Sequence, residues 1–311
     1  MKIVITEFMD APAVARLQAT HDVLYNPRLV DDASRLAEEA ARADALIVRN
    51  RTQVRGALLA ALTRCKVVGR LGVGLDNIDV AGCEARDIRV IPATGANARA
   101  VAEYVIATAM LLLRGAYRST AKVAAGAWPR NALSQGREIG GKTLGLVGFG
   151  SIGQLTAKFA RALGMRVIAH DALLAASHAA FAEAGVRCVN LDTLLQQADV
   201  VSLHVPLLDT TRGLFDAPRI ASMKRGAVLI NTSRGGIVDE AALTAALRSG
   251  RLGGAALDVF DVEPLPASSS ASPCFDDCPN LVLTPHIAGL TAEANERVST
   301  LIAEKVLEAL R

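Results

Sequence analysis

The stretch Thr143–Asp171, TLGLVGFGSIGQLTAKFARALGMRVIAHD, constrains this chain more than any other. Leu144–Phe149 is a short, nearly continuous apolar run, which suits a parallel strand buried on both faces. It ends in Gly148-x-Gly150-x-x-Gly153. Ile152, Leu155, Phe159 and Leu163 then recur at helical spacing, and Gly164 supplies a stop. A second apolar run, Val167–Ala169, delivers Asp171. The local order is strand, glycine turn, helix, strand, acid.

Each residue type has a physical reason in that order. Gly148 permits the tight turn, Gly150 lets a pyrophosphate approach the backbone, and Gly153 lets helix and strand pack closely. The N–H groups at the helix start, near Ser151 and Ile152, face the negative phosphates. Asp171 has the spacing of a carboxylate that accepts hydrogen bonds from the adenosine ribose. Three glycines alone also describe an ordinary turn, and the surrounding strand–helix–strand pattern is what favours a dinucleotide. A 2′-phosphate beside Asp171 would meet a like charge, and Ala172 and Leu173 offer no compensating cation. The expected cofactor is NAD rather than NADP.

A chain of 311 residues predicts about two domains with substantial cores. Its 34 basic and 31 acidic side chains nearly balance, so no nucleic-acid footprint is expected. Cys65, Cys83, Cys188, Cys274 and Cys278 are odd in number and scattered, which favours thiols in a reducing compartment. Cys274 and Cys278 lack a second pair or a histidine cluster, so no metal is expected. The opening MKIVITEFMD has no signal-peptide pattern, and the longest apolar stretch, Tyr104–Leu113, is far below the ~20 residues that span a bilayer. A cytoplasmic protein without membrane contact is expected.

Residues 1–97 read as repeated β-α units. Strands are predicted at Ile3–Ile5, Val23–Leu24, Ala45–Val48, Lys66–Val68 and Ile88–Ile91, with amphipathic helices such as Asp32–Ala43 and Asn77–Arg86 between them. Thr94–Asn97 reads as a hinge. Ala98–Tyr117 is a long helix too apolar to be exposed, either a core helix or part of a subunit interface. Beyond the glycine turn, strands are predicted at Val200–Val205, Ala227–Asn231, Ala255–Val259 and Leu281–Leu283, with helices at Glu240–Arg248 and Thr291–Leu310. Pro264–Pro279, with its serine run at 268–270, reads as a surface loop. The pattern predicts two doubly wound parallel α/β domains with an interdomain cleft, and chemistry at the carboxyl ends of strands.

Three strand ends carry polar groups: Thr232-Ser233-Arg234, Asp261-Val262-Glu263 and Thr284-Pro285-His286. Singly, each has an ordinary structural explanation. Together, downstream of a dinucleotide turn, they point to an acid–base site.

The segments VGFGSIG, NTSRGGIVDE, ALDVFDVEP and TPHIAG resemble the signature blocks of the NAD-dependent D-isomer-specific 2-hydroxyacid dehydrogenases. GRLGVGLDNID at 69–79 is similar to their substrate-loop motif, so the resemblance spans essentially the whole chain. It implies a flavodoxin-like substrate domain of residues 1–97 plus 287–311 and a Rossmann NAD-binding domain of 98–286. It assigns Arg234, Glu263 and His286 as a catalytic triad. His286 would be the general acid in reduction, Glu263 would hold the ring and favour its charged form, and Arg234 would grip the substrate carboxylate. The resemblance further implies Val205 and Pro206 beside the nicotinamide, cofactor contacts from Thr232, Ser233 and Asp258, and substrate-carboxylate amides at Val73 and Gly74. A homodimer is implied, with Trp128 either reaching a neighbouring subunit's site or packing in the interface.

Arg49-Asn50-Arg51 follows the strand Ala45–Val48. RNRT is similar to the phosphate-holding segment of phosphoglycerate dehydrogenases, and the first domain resembles that of bacterial (S)-sulfolactate dehydrogenases. Arg49 and Arg51 are therefore expected to bind a second anion on a small 2-hydroxy or 2-oxo acid; the plainer alternative is a solvated pair of charges. A glyoxylate or hydroxypyruvate reductase of the same family is the alternative enzyme. Formate dehydrogenases share the fold but carry Gln where Glu263 stands. A NAD-sensing corepressor-like binding protein is the alternative outside enzymes.

Overall fold

The computed structural model describes residues 1–265 and 275–311, so Cys274 and the serine run at 268–270 lie outside the described residues. The chain divides into two compact units, one of Met1–Asn97 with Gly289–Arg311 and the other of Ala98–Ala288.

In the first unit, β1 (Lys2–Ile5), β2 (Asp22–Tyr25), β3 (Ala45–Val48), β4 (Val67–Arg70) and β5 (Arg89–Pro92) form a sheet in the order β2-β1-β3-β4-β5. Every pairing is parallel. That order is the flavodoxin-like one, with its reversal between β1 and β3. β3 is buried along its whole length, which explains its unbroken apolar sequence ALIV. The helix Ala292–Ala309 closes one face by burying Val298, Ile302 and Val306 in the same core as Ile3, Ile47 and Val67. Gly69 makes room for it: a Cβ there would lie 2.8 Å from Ile302 Cγ2 and 2.9 Å from Val306 Cγ2. Both methyls branch at Cβ and have little freedom to yield.

Two helices in this unit are shorter than their periodicity predicts. Asp32–Ala43 contracts to Ala33–Ala40: Asp32 is the N-cap, its carboxylate accepting from the Arg35 amide, and Ala41 is the C-cap. Asn77–Arg86 contracts to Val80–Glu84, capped by Asp79. Asn77 is instead buried below the loop after β3, donating from Nδ2 to the carbonyls of Arg49 (3.0 Å) and Thr52 (2.7 Å).

The second unit holds β6 (Thr143–Val147), β7 (Arg166–His170), β8 (Arg187–Cys188), β9 (Val200–Leu203), β10 (Val228–Asn231), β11 (Gly254–Leu257) and β12 (Leu281–Leu283). Their order is β12-β11-β10-β9-β6-β7-β8, again wholly parallel. β6, β9, β10 and β11 are buried at every residue, so their sequences run apolar rather than alternating. The chain leaves β6 toward β7 on one side, while β9 pairs on the other. That reversal opens a crevice at the carboxyl ends of β6 and β9, where ligands bind in such sheets.

The long apolar helix ends at Arg114, where Gly115 turns the chain with φ +66°. Val101, Val105, Ala109 and Leu112 join the core under β6, β10 and β11, which makes Ala98–Arg114 a core helix of this unit. Among the described residues no helix is long and apolar enough to cross a membrane. The two-residue strand β8 is too short to show a period in the sequence.

Candidate active site

The glycine turn between β6 and the helix Ser151–Ala162 is built by close contacts. Gly148 sits at φ +96°, and a Cβ there would lie 2.4 Å from the His204 carbonyl oxygen. A Cβ at Gly153 would lie 2.5 Å from the Gly148 carbonyl oxygen, so the helix packs on the turn only without a side chain. Gly150 differs, since a Cβ there would meet nothing within 4 Å. The backbone at Gly150 thus faces open space, and the helix it begins has no side-chain cap on its first amides at Ser151 and Ile152. Bare amides at a helix start facing open space fit a pyrophosphate.

Asp171, just past β7, spends its carboxylate partly on this turn. Oδ2 accepts from the Phe149 amide at 2.7 Å, and Oδ1 accepts from Leu173 and Leu174 at 2.9 and 3.0 Å. Burial raises its pKa, but the three amides outweigh that and hold it below the usual carboxylate value. The group is therefore an anion at neutral pH. Three of about four acceptor positions are filled, leaving room for a hydroxyl donor but no welcome for a phosphate.

At the end of β9, His204 precedes Val205 and Pro206. Its Nε2 lies 3.0 Å from Ser202 Oγ, and burial pushes its pKa down to about 4, so it stays neutral. At the end of β10, Ser233 is buried, donating from Oγ to the Leu203 carbonyl at 2.7 Å and from its amide to Asn231 Oδ1 at 3.0 Å. Asn231 Nδ2 in turn donates to the Arg234 carbonyl at 2.9 Å. These bonds lock the turn that presents Thr232 and Arg234. The Thr232 hydroxyl is buried without a hydrogen-bond partner among the described residues, which is costly unless a ligand group meets it. With the Gly150 opening, the bare amides and Asp171, it fits a bound dinucleotide.

Arg234, Glu263 and His286 stand after β10, β11 and β12, three neighbouring strands of one sheet. His286 Nδ1 lies 2.7 Å from Glu263 Oε2, and Glu263 Oε1 accepts from the Phe260 amide at 3.0 Å. A carboxylate only accepts, so Nδ1 carries the proton and Nε2 is the ring atom left for a substrate. Burial raises the Glu263 pKa, yet the His286 hydrogen bond, the Phe260 amide and the Arg234 charge bring it below the usual value. Glu263 is thus a carboxylate whose charge favours a proton on the ring.

The backbone of His286 has φ +55°, a left-handed conformation that costs roughly 1–3 kcal/mol in a non-glycine residue. Asp258, 1% exposed, holds it there. Its carbonyl accepts from the His286 amide at 2.8 Å, Oδ1 from Thr284 Oγ1 at 2.6 Å and Ile287 N at 2.8 Å, and Oδ2 from Ala288 N at 2.8 Å. Glu240 does similar work for the Glu263 loop. It is buried, it accepts from the Asp261 amide at 2.8 Å, and burial raises its pKa. Glu240 lies within NTSRGGIVDE, but no periodicity in the sequence marks it as a buried acceptor.

In the first unit the loop after β3 is gathered by buried Glu7. Its Oε1 accepts from the amides of Arg49 (2.9 Å) and Thr52 (3.0 Å), and Oε2 from Arg51 (3.1 Å). The two arginines then part company. Arg51 Nη2 lies 2.5 Å from Asp31 Oδ1 and is consumed by that pair. Arg49 is half-buried, its guanidinium 5.6 Å from the Phe8 ring centroid and bonded through Nη2 to Asn295 Oδ1 at 2.7 Å. Among the described residues no carboxylate forms an ion pair with it. Val73 and Gly74 lie on the half-exposed loop after β4, and their amides make no hydrogen bond among the described residues. Trp128, in the second unit, is 77% exposed.

A cavity of about 590 Å³ lies elsewhere, lined by Thr143, Arg166, Arg187 and Lys224. Thr143, Arg166 and Arg187 stand at the amino ends of β6, β7 and β8, opposite the glycine turn, so this cavity is not the crevice between β6 and β9. Among the described residues no group of three or more His, Cys, Asp and Glu could hold a metal ion.

Residues 106–288 match the model of the D-isomer specific 2-hydroxyacid dehydrogenase NAD-binding domain. The (S)-sulfolactate dehydrogenase of Chromohalobacter salexigens is 53% identical over 99% of this chain and 98% of its own length. The chain belongs to the D-isomer specific 2-hydroxyacid dehydrogenase family. D-3-phosphoglycerate dehydrogenase of Mycobacterium leprae is 42% identical over 90% of this chain but only 51% of its own length. A glyoxylate reductase structure from Paecilomyes thermophila superposes with a TM-score of 0.86 at 29% identity, covering 100% of this chain and 95% of that one.

This dehydrogenase is an NAD-dependent oxidoreductase acting on a CH–OH group. Its anionic Asp171 predicts a measurable preference. NADH should support reduction with far higher kcat/KM than NADPH, and Asp171→Asn should narrow the gap by removing the charge while keeping one acceptor. Equal efficiency with both cofactors in the unmodified enzyme would contradict the role given to Asp171.

Proposed function

We propose that the enzyme interconverts a small D-2-hydroxy acid that carries a second anionic group, a sulfonate or a phosphate, with its 2-oxo acid. The observation that carries this reading is Arg49, a half-buried guanidinium without a carboxylate ion pair among the described residues. The relatives named (S)-sulfolactate dehydrogenase and D-3-phosphoglycerate dehydrogenase support the same substrate class. Arg51 ranks second, since Asp31 already holds it. A glyoxylate or hydroxypyruvate reductase is the second reading, favoured by the glyoxylate reductase likeness.

Arg234, Glu263 and His286 perform the chemistry in this proposal. NADH, held by the glycine turn and Asp171, would supply the hydride to the carbonyl carbon. As charge grows on the carbonyl oxygen, His286 gives it the proton on Nε2, and Glu263 stabilises the imidazolium until that transfer. In oxidation the neutral ring takes the hydroxyl proton at the same atom. Arg234 presents a planar fork to the substrate carboxylate and polarises the carbonyl, and the open amides of Val73 and Gly74 are further carboxylate donors. Gly148, Gly150, Gly153, Ser151, Ile152 and Asp171 hold the phosphates and adenosine ribose. Val205 and Pro206 flank the nicotinamide side, and Thr232, Ser233 and Asp258 are further cofactor contacts.

A homodimer fits the exposed apolar side chains Tyr117, Val123 and Trp128, and the cytoplasm fits a dehydrogenase drawing on the NAD pool. The test of function is NADH turnover across 2-oxo acids. Sulfopyruvate and phosphohydroxypyruvate should exceed pyruvate and glyoxylate in kcat/KM. A preference for glyoxylate or hydroxypyruvate would select the second reading, and no turnover of any 2-oxo acid would end both.

A further inference from the structure

Tyr104 lies on the core helix Ala98–Arg114, which the sequence marks only as apolar. Its hydroxyl reaches 2.7 Å to Thr284 Oγ1, 180 residues away. Thr284 has a single hydroxyl proton, and its Oγ1 donates to Asp258 Oδ1 at 2.6 Å. Since the carboxylate can only accept, that proton points at Asp258, and Tyr104 must be the donor to Thr284. Burial raises the Tyr104 phenol pKa above its ordinary value, so it keeps its proton at neutral pH. The result is a one-way chain from the phenol through Thr284 to Asp258.

Asp258 is the hub of the turn that carries His286. It receives the His286, Ile287 and Ala288 amides as well as the Thr284 hydroxyl. His286 is held there at φ +55°, a conformation that would relax if those contacts loosened. The other end of the chain is built into the core. Val101, Val105 and Ala109 of the same helix are in the core, and Thr108 Oγ1 bonds the Tyr104 carbonyl at 2.8 Å.

We propose that Tyr104 is a positioning residue for His286. Through Thr284 and Asp258 it anchors the catalytic turn to the core helix, and so sets the contact between the imidazole and Glu263. Phenylalanine would fill the same space, yet it would leave Thr284 without its donor and the hub with one restraint fewer. The inference rests on the reading of His286 as the proton donor.

The test is Tyr104→Phe in the full-length enzyme. Loss of one hydrogen bond in the chain should lower kcat for reduction by about 2- to 10-fold. KM for the 2-oxo acid and the affinity for NADH should stay at parental values. The alkaline fall of the reduction rate should move to lower pH, because a looser turn weakens the Glu263 contact. Thr284→Val should give the same signature, and adding Tyr104→Phe to it should cost nothing more. Leu113→Ala, a cavity in the core near the end of the same helix, should lower thermal stability while leaving kcat and the pH profile alone.

Parental kcat and pH profile in Tyr104→Phe would overturn the proposal, as would a full extra loss on Thr284→Val. An equal change in Leu113→Ala would reduce Tyr104 to general packing. His286→Ala separates this inference from the catalytic reading. If His286→Ala is inactive and Tyr104→Phe is parental, only the positioning role falls. If His286→Ala turns over normally, both fall.

Discussion

His286→Ala and Arg234→Ala should each lose on the order of 10²–10⁴ in turnover while binding NADH as the parent does. Removing the imidazole leaves water to protonate the growing alkoxide, and removing the guanidinium leaves the carbonyl unpolarised. Neither side chain is needed by the pyrophosphate turn or by Asp171, so NADH fluorescence titration should give an unchanged affinity. Parental turnover in His286→Ala would remove it as the acid. Glu263→Gln is the milder member of the series. The proton shared with His286 helps hold the Glu263 carboxylate below its usual value, and by reciprocity that charge favours the proton on the ring. Without the charge the imidazolium that the reaction uses loses its counter-ion. The alkaline fall of reduction should therefore move to lower pH, and the rise of oxidation should move with it. An unshifted profile would remove Glu263 from the triad.

Arg49→Met should cost about one to two orders of magnitude in kcat/KM for sulfopyruvate or phosphohydroxypyruvate, since a charge-assisted hydrogen bond is worth roughly 1.5–3 kcal/mol. For pyruvate or glyoxylate, which have no second anion, the loss should be small. The contrast decides more than the size, because a folding defect would depress every substrate alike. Methionine keeps most of the stem against Phe8 while removing the charge. Arg51→Met should matter less, because the Arg51 charge is already spent on Asp31. Equal losses on both substrate types, or none on either, would leave Arg49 as a charge that merely ties Phe8 to Asn295.

Much of the fold was legible because its strands are parallel and buried on both faces. Such strands are nearly continuous apolar runs, as ALIV at 45–48 and LGLV at 144–147 are. The glycine turn was legible for a related reason: part of its constraint acts between residues only a few positions apart, as between Gly148 and Gly153, although Gly148 also abuts the distant His204 carbonyl. The starts of two helices are marked by local caps, Asp32 and Asp79, while their C-terminal ends carry no such local sign.

The amino-acid sequence by itself determined which chemical groups stand at the strand ends: a guanidinium, a carboxylate and an imidazole at 234, 263 and 286. Only the tertiary structure decided which of them meet. The 2.7 Å contact of His286 with Glu263 spans 23 positions, and the Glu7 grip on the Arg49 and Arg51 amides spans more than 40. Periodicity carries no information about such partners, because it reports only which face of a local element is buried. The same holds for Gly69, whose missing side chain is explained by a helix more than 200 residues later. It holds for the split between Arg49 and Arg51, identical in type and two positions apart. A hydrogen bond or an ion pair is decided by what lies within about 3 Å, and that neighbourhood exists only once the sheet has brought distant segments together.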